Sequence, residues 1–421
     1  MTPKTGPSPS PARALTRRRF LRGTLATAAT AASFSGFRGR AVAQPAAAPP
    51  PAEFTRKLKL GVVGCGGRGS WIAKLFQKHG GYEMFAVTDY FQSVADACGD
   101  ALGVDQARRF SGLAGYQRLM DSGVEAVALE VPPYFFPEHV RAAVARKLHV
   151  YMAKPVAVDV PGCLEIDLSA KQSTASQRVF LVDYQLPTEP HNQEVVKLIR
   201  AGEIGKVMAL NSHYFAGSFG DPPLTDTIES RLRGLIWCND VAIGGGHHVN
   251  ACIHAVDAAL WVAGERPVAA MGLSRIGRPD PHGDSHDVFE IVFEFANGLV
   301  MSHRGKHLNN QLRFDVVCQV IGQTGYAQLC YGGPASLHGR ENGYNGDIQN
   351  LYEAGAVRNI GKFYDCVVGG NFANDTVRRS VDGALTTILS REAALRRTRL
   401  TWDELLKENK RLEVDLHGLK A

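Results

Sequence analysis

The chain has 421 residues, of which 45% are hydrophobic and 21% charged, a composition typical of a soluble globular protein with more than one domain. Its 47 Lys and Arg against 41 Asp and Glu give a formal net charge of +6 at pH 7. Eight of the basic residues and no acidic ones lie within residues 1–43, so the remainder has 39 basic against 41 acidic residues. This balance excludes a strongly basic surface, and no nucleic-acid partner is expected.

Residues 1–43 have the order of a targeting peptide: a basic region, a mildly apolar stretch and small residues for cleavage. The twin arginines before Phe20-Leu21 resemble a twin-arginine export signal. The apolar stretch, residues 23–34, is too short to span a membrane, which takes about 20 residues. We therefore predict a twin-arginine signal peptide over 1–43, a Pro/Ala-rich linker over 44–55, and export to the periplasm or beyond by the twin-arginine machinery. A disordered basic tail is the alternative.

All eight cysteines follow residue 43, and no two of them form a Cys-x-x-Cys pair. A zinc framework is therefore not expected. Because twin-arginine substrates fold before export, the thiols are expected to be mostly reduced and buried in spite of the oxidising destination.

A glycine-rich turn follows the first predicted strand. Residues 57–63 favour a β-strand, Gly64-Cys65-Gly66-Gly67-Arg68-Gly69 come next, and residues 70–79 have apolar side chains at helical spacing. Strand, glycines and helix in this order indicate a dinucleotide-binding turn. Gly64 would make the tight turn, Gly66 would let the backbone approach a pyrophosphate, and Gly69 would let the helix pack close to the strand. An ordinary βα turn is the alternative.

Asp89 ends a second predicted strand, residues 82–88, twenty residues after Gly69. A carboxylate at this position accepts hydrogen bonds from a ribose 2′-hydroxyl and repels a 2′-phosphate. Residues 90–93 contain no Arg that could hold such a phosphate. The predicted cofactor is therefore NAD in preference to NADP.

Three more segments are predicted to extend the same parallel sheet: residues 124–131, 148–152 and 179–184. The first is apolar apart from two glutamates and is followed by a helix predicted over 137–147. Several side chains follow these strands or begin this helix, and should lie at the carboxyl edge of the sheet. They are Pro132, His139, Lys154 and Gln185.

These motifs, together with a triple glycine at 244–246 before a helix that holds His254, resemble the glucose–fructose oxidoreductase / inositol dehydrogenase (Gfo/Idh/MocA) family over nearly all of the chain after the signal. The resemblance implies a Rossmann domain, a second α/β domain, and catalysis by Lys154 and His254 with Asn250 beside them. It also implies that NAD is bound by Gly64, Gly66, Gly67, Arg68, Gly69, Asp89, Pro132, His139, Lys154 and Gln185.

Two positions depart from the family pattern. The family usually has Glu before the lysine, whereas this chain has Ala153, so the carboxylate partner of Lys154 is missing. It usually has Asp four residues before the histidine, whereas this chain has Asn250, which can hydrogen-bond but cannot stabilise an imidazolium by charge. We therefore expect His254 to have a lowered pKa or to interact with Asp257.

The helix predicted between Gly246 and Gly264 is apolar except for one polar stripe. At about 100° per residue these polar side chains fall within an arc of about 80°. They are His247, Asn250, His254, Asp257 and Trp261. Buried polar groups need partners, so we predict that His247, Asn250, His254 and Asp257 line a substrate pocket, with Trp237 as a stacking face. A polar network within the protein is the alternative.

No metal site is predicted. His247 and His254 are seven residues apart on one helix, which is poor spacing for a catalytic zinc ion. The cluster of His and Asp over residues 282–287 lies beside Pro281 and contains a glycine, so we predict a solvated loop there.

Beyond residue 186 the pattern changes to consecutive strands, predicted over 207–214, 268–276, 288–295, 299–304, 313–322 and 325–331, with helices near 193–201, over 360–368 and 375–396, and from Thr401. The hairpin-like residues 296–298 indicate antiparallel pairing. The predicted fold class is α/β: an NAD-binding Rossmann domain over 56–186, and a substrate-binding and oligomerisation α/β domain over 187–421 with an open, mostly antiparallel sheet. One face of such a sheet is free for another subunit, so a homo-oligomer is expected.

The predicted function is NAD-dependent oxidation of a secondary alcohol in a sugar, glycoside or cyclitol. His254 would take the hydroxyl proton, and Lys154 would polarise the oxygen or relay the proton. Because free NAD is not expected outside the cytoplasm, the cofactor is predicted to be tightly bound and exported with the protein. One alternative is redox-neutral cleavage or epimerisation of a glycoside with recycled NAD, and another is a non-catalytic dinucleotide-binding sensor.

Overall fold

The computed structural model describes residue 54 and residues 56–221, 227–234 and 236–421. The signal peptide predicted over 1–43 and, apart from Phe54, the linker predicted over 44–55 lie outside the described residues. Among the described helices, none combines the length and the apolar character that a membrane span requires.

The first part of the described chain forms a six-stranded sheet. Its strands are β1 Leu58–Val63, β2 Tyr82–Asp89, β3 Arg109–Ser111, β4 Ala126–Leu129, β5 His149–Ala153 and β6 Phe180–Asp183. They lie in the order β3-β2-β1-β4-β5-β6, and every neighbouring pair is parallel. This order reverses between β1 and β4, as in a Rossmann fold, and confirms the predicted architecture. The short edge strand β3 was not predicted, because three half-buried residues carry no clear periodicity.

Helices connect these strands and supply the outer layers of the domain. They are α1 Gly67–His79, α2 Gln92–Leu102, α3 Gly115–Met120, α4 Phe136–Ala145 and α5 Val160–Ala175. The start of α5 is capped by Asp159, whose carboxylate accepts a hydrogen bond from the backbone N–H of Gly162. In contrast, α1 has no side-chain cap and no acidic residue in its first turn. Its N-terminal N–H groups are therefore free of a capping carboxylate, as an anion-binding helix start requires.

The second part of the described chain forms a nine-stranded sheet. Its strands are β7 Val207–Ala216, β8 Ala269–Arg275, β9 Val288–Glu294, β10 Val300–His307, β11 Asp315–Gly322, β12 Tyr326–Cys330, β13 Gly333–His338, β14 Gly343–Ile348 and β15 Leu400–Thr401. They lie in the order β14-β13-β12-β11-β7-β10-β9-β8-β15. All neighbouring pairs are antiparallel except β7 with β10, which confirms the mostly antiparallel sheet. The glycine-rich strands β13 and β14 were not predicted.

The helices of this part are α6 Pro190–Arg200, α7 Val241–Gly244, α8 Ile253–Ala263, α9 Leu351–Gly369, α10 Asp375–Arg396 and α11 Trp402–Glu408. A π-helical turn, His248–Cys252, leads directly into α8. The capping box of Thr401 and Glu404 begins α11, as its sequence predicts. Helix α9 begins nine residues before the predicted position and returns to pack Ile360 and Phe363 against Phe76 of α1.

One face of the second sheet packs against α8 and α10, and the other face is exposed. Side chains alternate between the two faces of a strand, so residues two apart on β8 point outward together. The exposed face carries a row of large apolar side chains on six strands: Met208, Met271, Leu273, Val292, Val300, Ile321 and Tyr326. An apolar surface of this kind is typical of a protein–protein contact.

The loop predicted to be solvated over residues 282–287 is ordered by a buried ion pair, so that prediction was wrong. Asp287 is fully buried, and its Oδ1 accepts a hydrogen bond of 2.6 Å from Arg278 Nη1. His286 Nδ1 lies 2.7 Å from the hydroxyl of Ser274. The cation that neutralises Asp287 comes from the residues just before the cluster, and proline and glycine signals alone could not show that pairing.

Candidate active site

Two adjoining cavities lie at the carboxyl edge of the parallel sheet, where open α/β folds bind their ligands. The first contains Gly64 and Asp89, and we call it the glycine end of the site. The second has a volume of about 500 Å³, contains Lys154, and is called the lysine end. Gly66 and Trp237 belong to both, so the two ends are continuous.

The glycines of the first turn have the geometry that their predicted roles require. Gly64 has φ +91°, and a Cβ on it would meet the backbone oxygen of Glu130 at 2.6 Å. A Cβ on Gly69 would lie 1.8 Å from the backbone oxygen of Gly64, so only glycine allows α1 to pack this close to β1. At Gly66 and Gly67 a Cβ would meet nothing within 4 Å, which leaves room in front of the α1 N-terminus. These residues fit a dinucleotide pyrophosphate.

Asp89 lies in the glycine end, where a ribose is expected. Its Oδ2 accepts a hydrogen bond of 2.8 Å from the N–H of Cys65, and its Oδ1 accepts one of 3.0 Å from the N–H of Phe91. Burial raises the pKa of the Asp89 carboxyl, and the nearby Arg233 acts in the opposite direction. The Arg233 guanidinium lies 3.8 Å from the centroid of the Phe91 ring. This cation comes from a distant loop, so inspection of residues 90–93 could not find it.

The other predicted cofactor residues lie at both ends of the site. Pro132 and His139 line the glycine end, while Arg68 and Gln185 line the lysine end. His139 stacks on Tyr116 with ring centroids 4.0 Å apart. Burial lowers the pKa of His139 to about 3, so this imidazole is neutral and contributes shape and polarity, not charge.

Lys154 lies at the centre of the lysine end, one residue beyond β5. Its Nζ donates a hydrogen bond of 2.8 Å to the backbone oxygen of Asn250, in the π-helical turn. Asn250 therefore contacts Lys154 through its backbone oxygen. Burial lowers the pKa of Lys154 to about 8, and the neighbouring Arg68 acts in the same direction. The peptide bond between Lys154 and Pro155 is cis.

Two carboxylates flank Ala153 from the neighbouring strands. Leu129 of β4 is level with Met152, and Asp183 of β6 is level with Ala153. Glu130 follows Leu129, so Glu130 and Asp183 lie on either side of Ala153 across the sheet. Both side chains are fully buried. Position 153 itself has no carboxylate, but Glu130 and Asp183 supply one at the end of each neighbouring strand.

Arg68 joins these two carboxylates. Its guanidinium pairs with Asp183, and its Nε lies 2.9 Å from Glu130 Oε2. Among the described residues, Glu130 pairs with Arg68, and no further hydrogen-bond donor is recorded for its carboxylate. Burial raises the pKa of Glu130 to about 7, while Arg68 and Lys154 pull it down. Glu130 therefore titrates near neutral pH inside the lysine end.

Asp183 has a complete set of donors. Its Oδ1 accepts a hydrogen bond of 2.7 Å from Asn359, and its Oδ2 accepts one of 2.8 Å from Gln185 as well as the contact from Arg68. Gln185 Oε1 in turn accepts a hydrogen bond of 3.2 Å from Tyr331. Asp183 and Glu130 were not predicted as site residues. The signal in the sequence was an acid in or at the end of an otherwise apolar strand.

His254 lies across the cavity from the sheet, in the first turn of α8. Its ring is 5.4 Å from that of Tyr331 and 6.3 Å from that of Tyr214, centroid to centroid. Burial holds the pKa of His254 well below its ordinary value, and the charges of Lys154 and Arg68 act in the same direction. Its Nδ1 has no hydrogen-bond partner among the described residues. The imidazole is therefore neutral.

The predicted polar stripe lines the cavity only in part. Of its members, only Asn250 and His254 line the lysine end. His247 stacks on His307 with centroids 4.2 Å apart, and Asp257 accepts a hydrogen bond of 2.6 Å from Arg379. The π-helical turn changes the angular step between residues 248 and 252, so a wheel drawn at α-helical spacing misplaces His247. Asp257 is paired with Arg379, and the predicted contact with His254 is not made.

Aromatic side chains form much of the wall of the lysine end. Trp237, predicted as a stacking face, lies there together with Trp71, Phe219 and four further aromatic residues, none of which the sequence singled out for this site. These four are Tyr214, Phe314, Tyr331 and Tyr352. Apolar faces with a few placed polar groups are typical of a pocket for a small ligand.

Comparison with known proteins agrees with this architecture. The oxidoreductase family model described as an NAD-binding Rossmann fold matches residues 58–183, and the GFO/IDH/MocA C-terminal domain model matches residues 192–328. An inositol 2-dehydrogenase from Ralstonia nicotianae is 28% identical over 275 residues, which is 65% of this chain and 74% of that protein. Together the two domain models cover more than half of the chain.

Solved structures share the fold at low sequence identity. An inositol dehydrogenase homolog from Azotobacter vinelandii, complexed with NAD+, has a TM-score of 0.70 at 17% identity, covering 83% of this chain and 98% of the other. An aldose-aldose oxidoreductase from Caulobacter crescentus, complexed with glycerol, has a TM-score of 0.65 at 19% identity, covering 82% and 100%. The family matches support an enzyme and not the alternative of a non-catalytic sensor. The chain is an NAD-binding oxidoreductase of the Gfo/Idh/MocA family.

Proposed function

We propose that this enzyme oxidises a secondary alcohol of a sugar, glycoside or cyclitol, with Lys154 and His254 acting on the alcohol oxygen and its proton. The observation that carries the proposal is the meeting of a buried lysine and a neutral, unpartnered histidine in one aromatic-walled cavity of about 500 Å³. The relatives named as inositol 2-dehydrogenases support a polyol-like substrate. NAD, when bound at the glycine end, supplies the hydride acceptor.

The roles of the residues follow from their charge states. His254 is neutral because burial lowers its pKa, so it can take the hydroxyl proton. Lys154 is held by the Asn250 carbonyl and, below its pKa of about 8, is an ammonium that can donate to the developing alkoxide. Asp183, together with Glu130 at pH values where Glu130 is ionised, supplies the negative charge that favours this ammonium in a buried place. We propose that Asn250 contributes mainly through its backbone, by positioning Lys154.

The test is oxidation of a panel of sugars, glycosides and cyclitols by the purified chain without residues 1–43, with NAD added. Accumulation of reduced nicotinamide in a time- and enzyme-dependent manner is the expected result, with Lys154→Met as the inactive control and exposed Glu83→Gln as the active one. If the protein binds NAD but reduces it with no member of the panel and cleaves none of the glycosides, the proposal fails.

The second candidate is a redox-neutral reaction, in which a glycoside is cleaved or epimerised and the cofactor ends in the state in which it began. Glu130 favours it, because a buried carboxyl with a pKa of about 7, next to Arg68 and near Lys154, can act as an acid or a base. The same panel separates the two candidates. Lasting reduction of NAD supports oxidation, whereas appearance of new sugar products with the cofactor still oxidised supports the redox-neutral route.

We also propose that the enzyme is exported and carries NAD tightly bound. The support is the twin-arginine pattern in residues 1–43 together with the absence of a free NAD pool expected outside the cytoplasm. Fractionation of cells that express the full chain should place the cleaved protein in the periplasm, with NAD released on denaturation. Uncleaved protein in the cytoplasm would contradict export, and exported protein without dinucleotide would contradict tight binding.

The exposed face of the second sheet supports a homo-oligomer. We propose that two copies cover this face in solution, since a row of large apolar side chains on six strands is costly to leave in water. Leu273→Glu, at one of the most exposed of these positions, should convert the oligomer to a monomer in light scattering. Glu83→Lys, on an exposed site of the first sheet, is the matched control.

A further inference from the structure

A cluster of metal-ligand side chains lies outside the active site, between the π-helical turn and the second sheet. One ring nitrogen each from His248 and His303 and the sulfur of Cys252 lie within 4.8 Å of one another. His248 and Cys252 belong to the turn, and His303 belongs to β10. The side chains of this cluster are fully buried.

The hydrogen bonds of His248 fix which of its nitrogens is free. Its Nε2 lies 2.7 Å from the hydroxyl of Ser390, and that hydroxyl donates its single proton to the carbonyl of Thr386 at 3.0 Å, shared with Thr387 at 3.2 Å. The imidazole must therefore donate from Nε2. In the neutral ring, Nδ1 then carries the lone pair, and it has no hydrogen-bond partner among the described residues.

His303 has the same arrangement with its nitrogens exchanged. Its Nδ1 lies 2.8 Å from the hydroxyl of Ser212, its register partner on β7. That hydroxyl has a further acceptor in the carbonyl of Ser302 at 3.5 Å. Nε2 of His303 is buried without a partner. Each histidine is thus held by a serine through one nitrogen and presents the other to the cluster, as metal-bound histidines do.

Cys252 completes the set with a soft donor. Its sulfur lies 3.6 Å from Nε2 of His247, which can donate to a thiolate. Two donors that share a tetrahedral zinc ion, with bonds of about 2.0–2.3 Å, lie about 3.3–3.7 Å apart. Donors within 4.8 Å of one another can reach that spacing by small rotations of their side chains. Two imidazoles and a thiolate, without a carboxylate, suit zinc and not magnesium or calcium.

We propose that His248, Cys252 and His303 form a buried site for a zinc-class transition-metal ion, separate from the cavity that holds Lys154. The sequence predicted no metal, because the two parts of the site are fifty-one residues apart and the nearest ligand pair is hidden in a π-helical turn. In such a turn two residues four positions apart lie on nearly the same side, and the middle residue between them lies on the opposite side. His248 and Cys252 therefore face the sheet while Asn250 faces the lysine end.

The site would act on the enzyme through the position of the turn. Asn250, whose carbonyl holds Lys154, lies between His248 and Cys252 in the sequence, and His254 lies two residues after Cys252. A metal that joins the turn to β10 would fix both groups relative to the sheet. Arg391, whose charge acts on His248, is already paired with Glu392 at 3.1 Å. This role is positional, and it is independent of which alcohol the enzyme oxidises.

The test is metal analysis of the full chain expressed with zinc in the medium and dialysed against a weak chelator. The expected result is about one equivalent of metal per chain, and cobalt-grown protein should show the near-ultraviolet charge-transfer band of a thiolate–cobalt bond. Cys252→Ser should lose that band and the metal, whereas Cys163→Ser, an equally buried thiol in α5, should keep both. Retention of copper by the same residues supports the site in the same way.

Two outcomes would overturn the proposal. The first is less than about a tenth of an equivalent of any transition metal in folded wild-type protein grown with metal. The second is metal that Cys252→Ser and His303→Gln retain in full, which would place it elsewhere. If Cys252→Ser does not fold, His248→Gln takes its place, and that variant must lose the metal that Cys163→Ser retains.

Discussion

The glycine end and the lysine end of the site share a cavity, yet they are built from different parts of the polypeptide. The glycine end is shaped mainly by the backbone, through the positive φ of Gly64, the missing Cβ of the glycines and the uncapped N-terminus of α1. At the lysine end side chains from β4, β5, β6, the π-helical turn and α9 meet around Lys154. The glycine end depends on a few adjacent residues, whereas the lysine end depends largely on contacts between residues far apart in the sequence, such as Lys154 with Asn250, 96 positions apart, and Asp183 with Asn359, 176 positions apart. The glycine end should therefore keep its structure when residues elsewhere in the chain are substituted, whereas the lysine end should be sensitive to such substitutions.

The largest effect should come from removing the two groups that act on the alcohol. Lys154→Met and His254→Gln are each expected to lower kcat by about 10²–10⁴-fold while NAD binding changes little. In the wild type, kcat/KM should fall as pH rises through about 8, because Lys154 then loses its charge, whereas His254 stays neutral throughout. Steady-state rates from pH 6 to 10, with NAD affinity measured by fluorescence, check this. Equal losses of NAD binding and turnover would show that the two ends are not separate.

Two glycines of one motif should respond differently. Gly69→Ala places a Cβ where only 1.8 Å is available to the backbone of Gly64, so it should lower the free energy of unfolding by about 3 kcal/mol or prevent folding. Gly66→Val meets no neighbour, so it should leave stability within about 1 kcal/mol and weaken NAD binding by at least about tenfold. Thermal denaturation and NAD titration of both variants distinguish these results. A stable Gly69→Ala protein would contradict the close packing of α1 on β1.

Glu130 should make stability depend on pH. Its pKa is about 7 in the folded protein and near 4.5 in the unfolded chain, so the folded state keeps a proton that the unfolded state has lost. The free energy of unfolding should therefore fall as pH rises from about 4.5 to 7, by about 3 kcal/mol from this group, and level off above 7. Glu130→Gln should remove that part of the slope in urea denaturation, and exposed Glu83→Gln should leave it. An unchanged slope in Glu130→Gln would mean that Arg68 holds the carboxylate ionised.

The smallest change is expected at the ribose position. Asp89→Ser should raise the affinity for NADP by about tenfold and lower that for NAD by a similar factor, since it removes the charge that repels a 2′-phosphate. The nearby Arg233 would then be free to pair with the phosphate. Arg233→Gln in the Asp89→Ser background should abolish the gain. NADP binding that is already as tight as NAD binding in the wild type would contradict the role of Asp89.

The sequence predicted the two sheets and the glycine end because their signals are local. Strand, glycine turn and helix lie within about twenty residues, and alternation along a strand marks its buried face. The acids around Ala153 could not be predicted, because the register that brings Glu130 and Asp183 beside it joins three separate strands. The polar stripe over residues 247–261 lines the cavity only in part, for a different reason. Its periodicity was real, but one π-helical turn changes the phase, and the same apolar pattern fits either helix type.

That single turn suggests how members of such a fold could acquire new substrates. A π-helical turn differs from an α-helical one by a single inserted residue. Deletion of one residue between His248 and Cys252 would leave every glycine of the first domain and the whole of α8 intact, but would rotate His254 by about 100° around the helix axis. The gain or loss of one codon could therefore reorient His254 without altering the domain that binds the nucleotide.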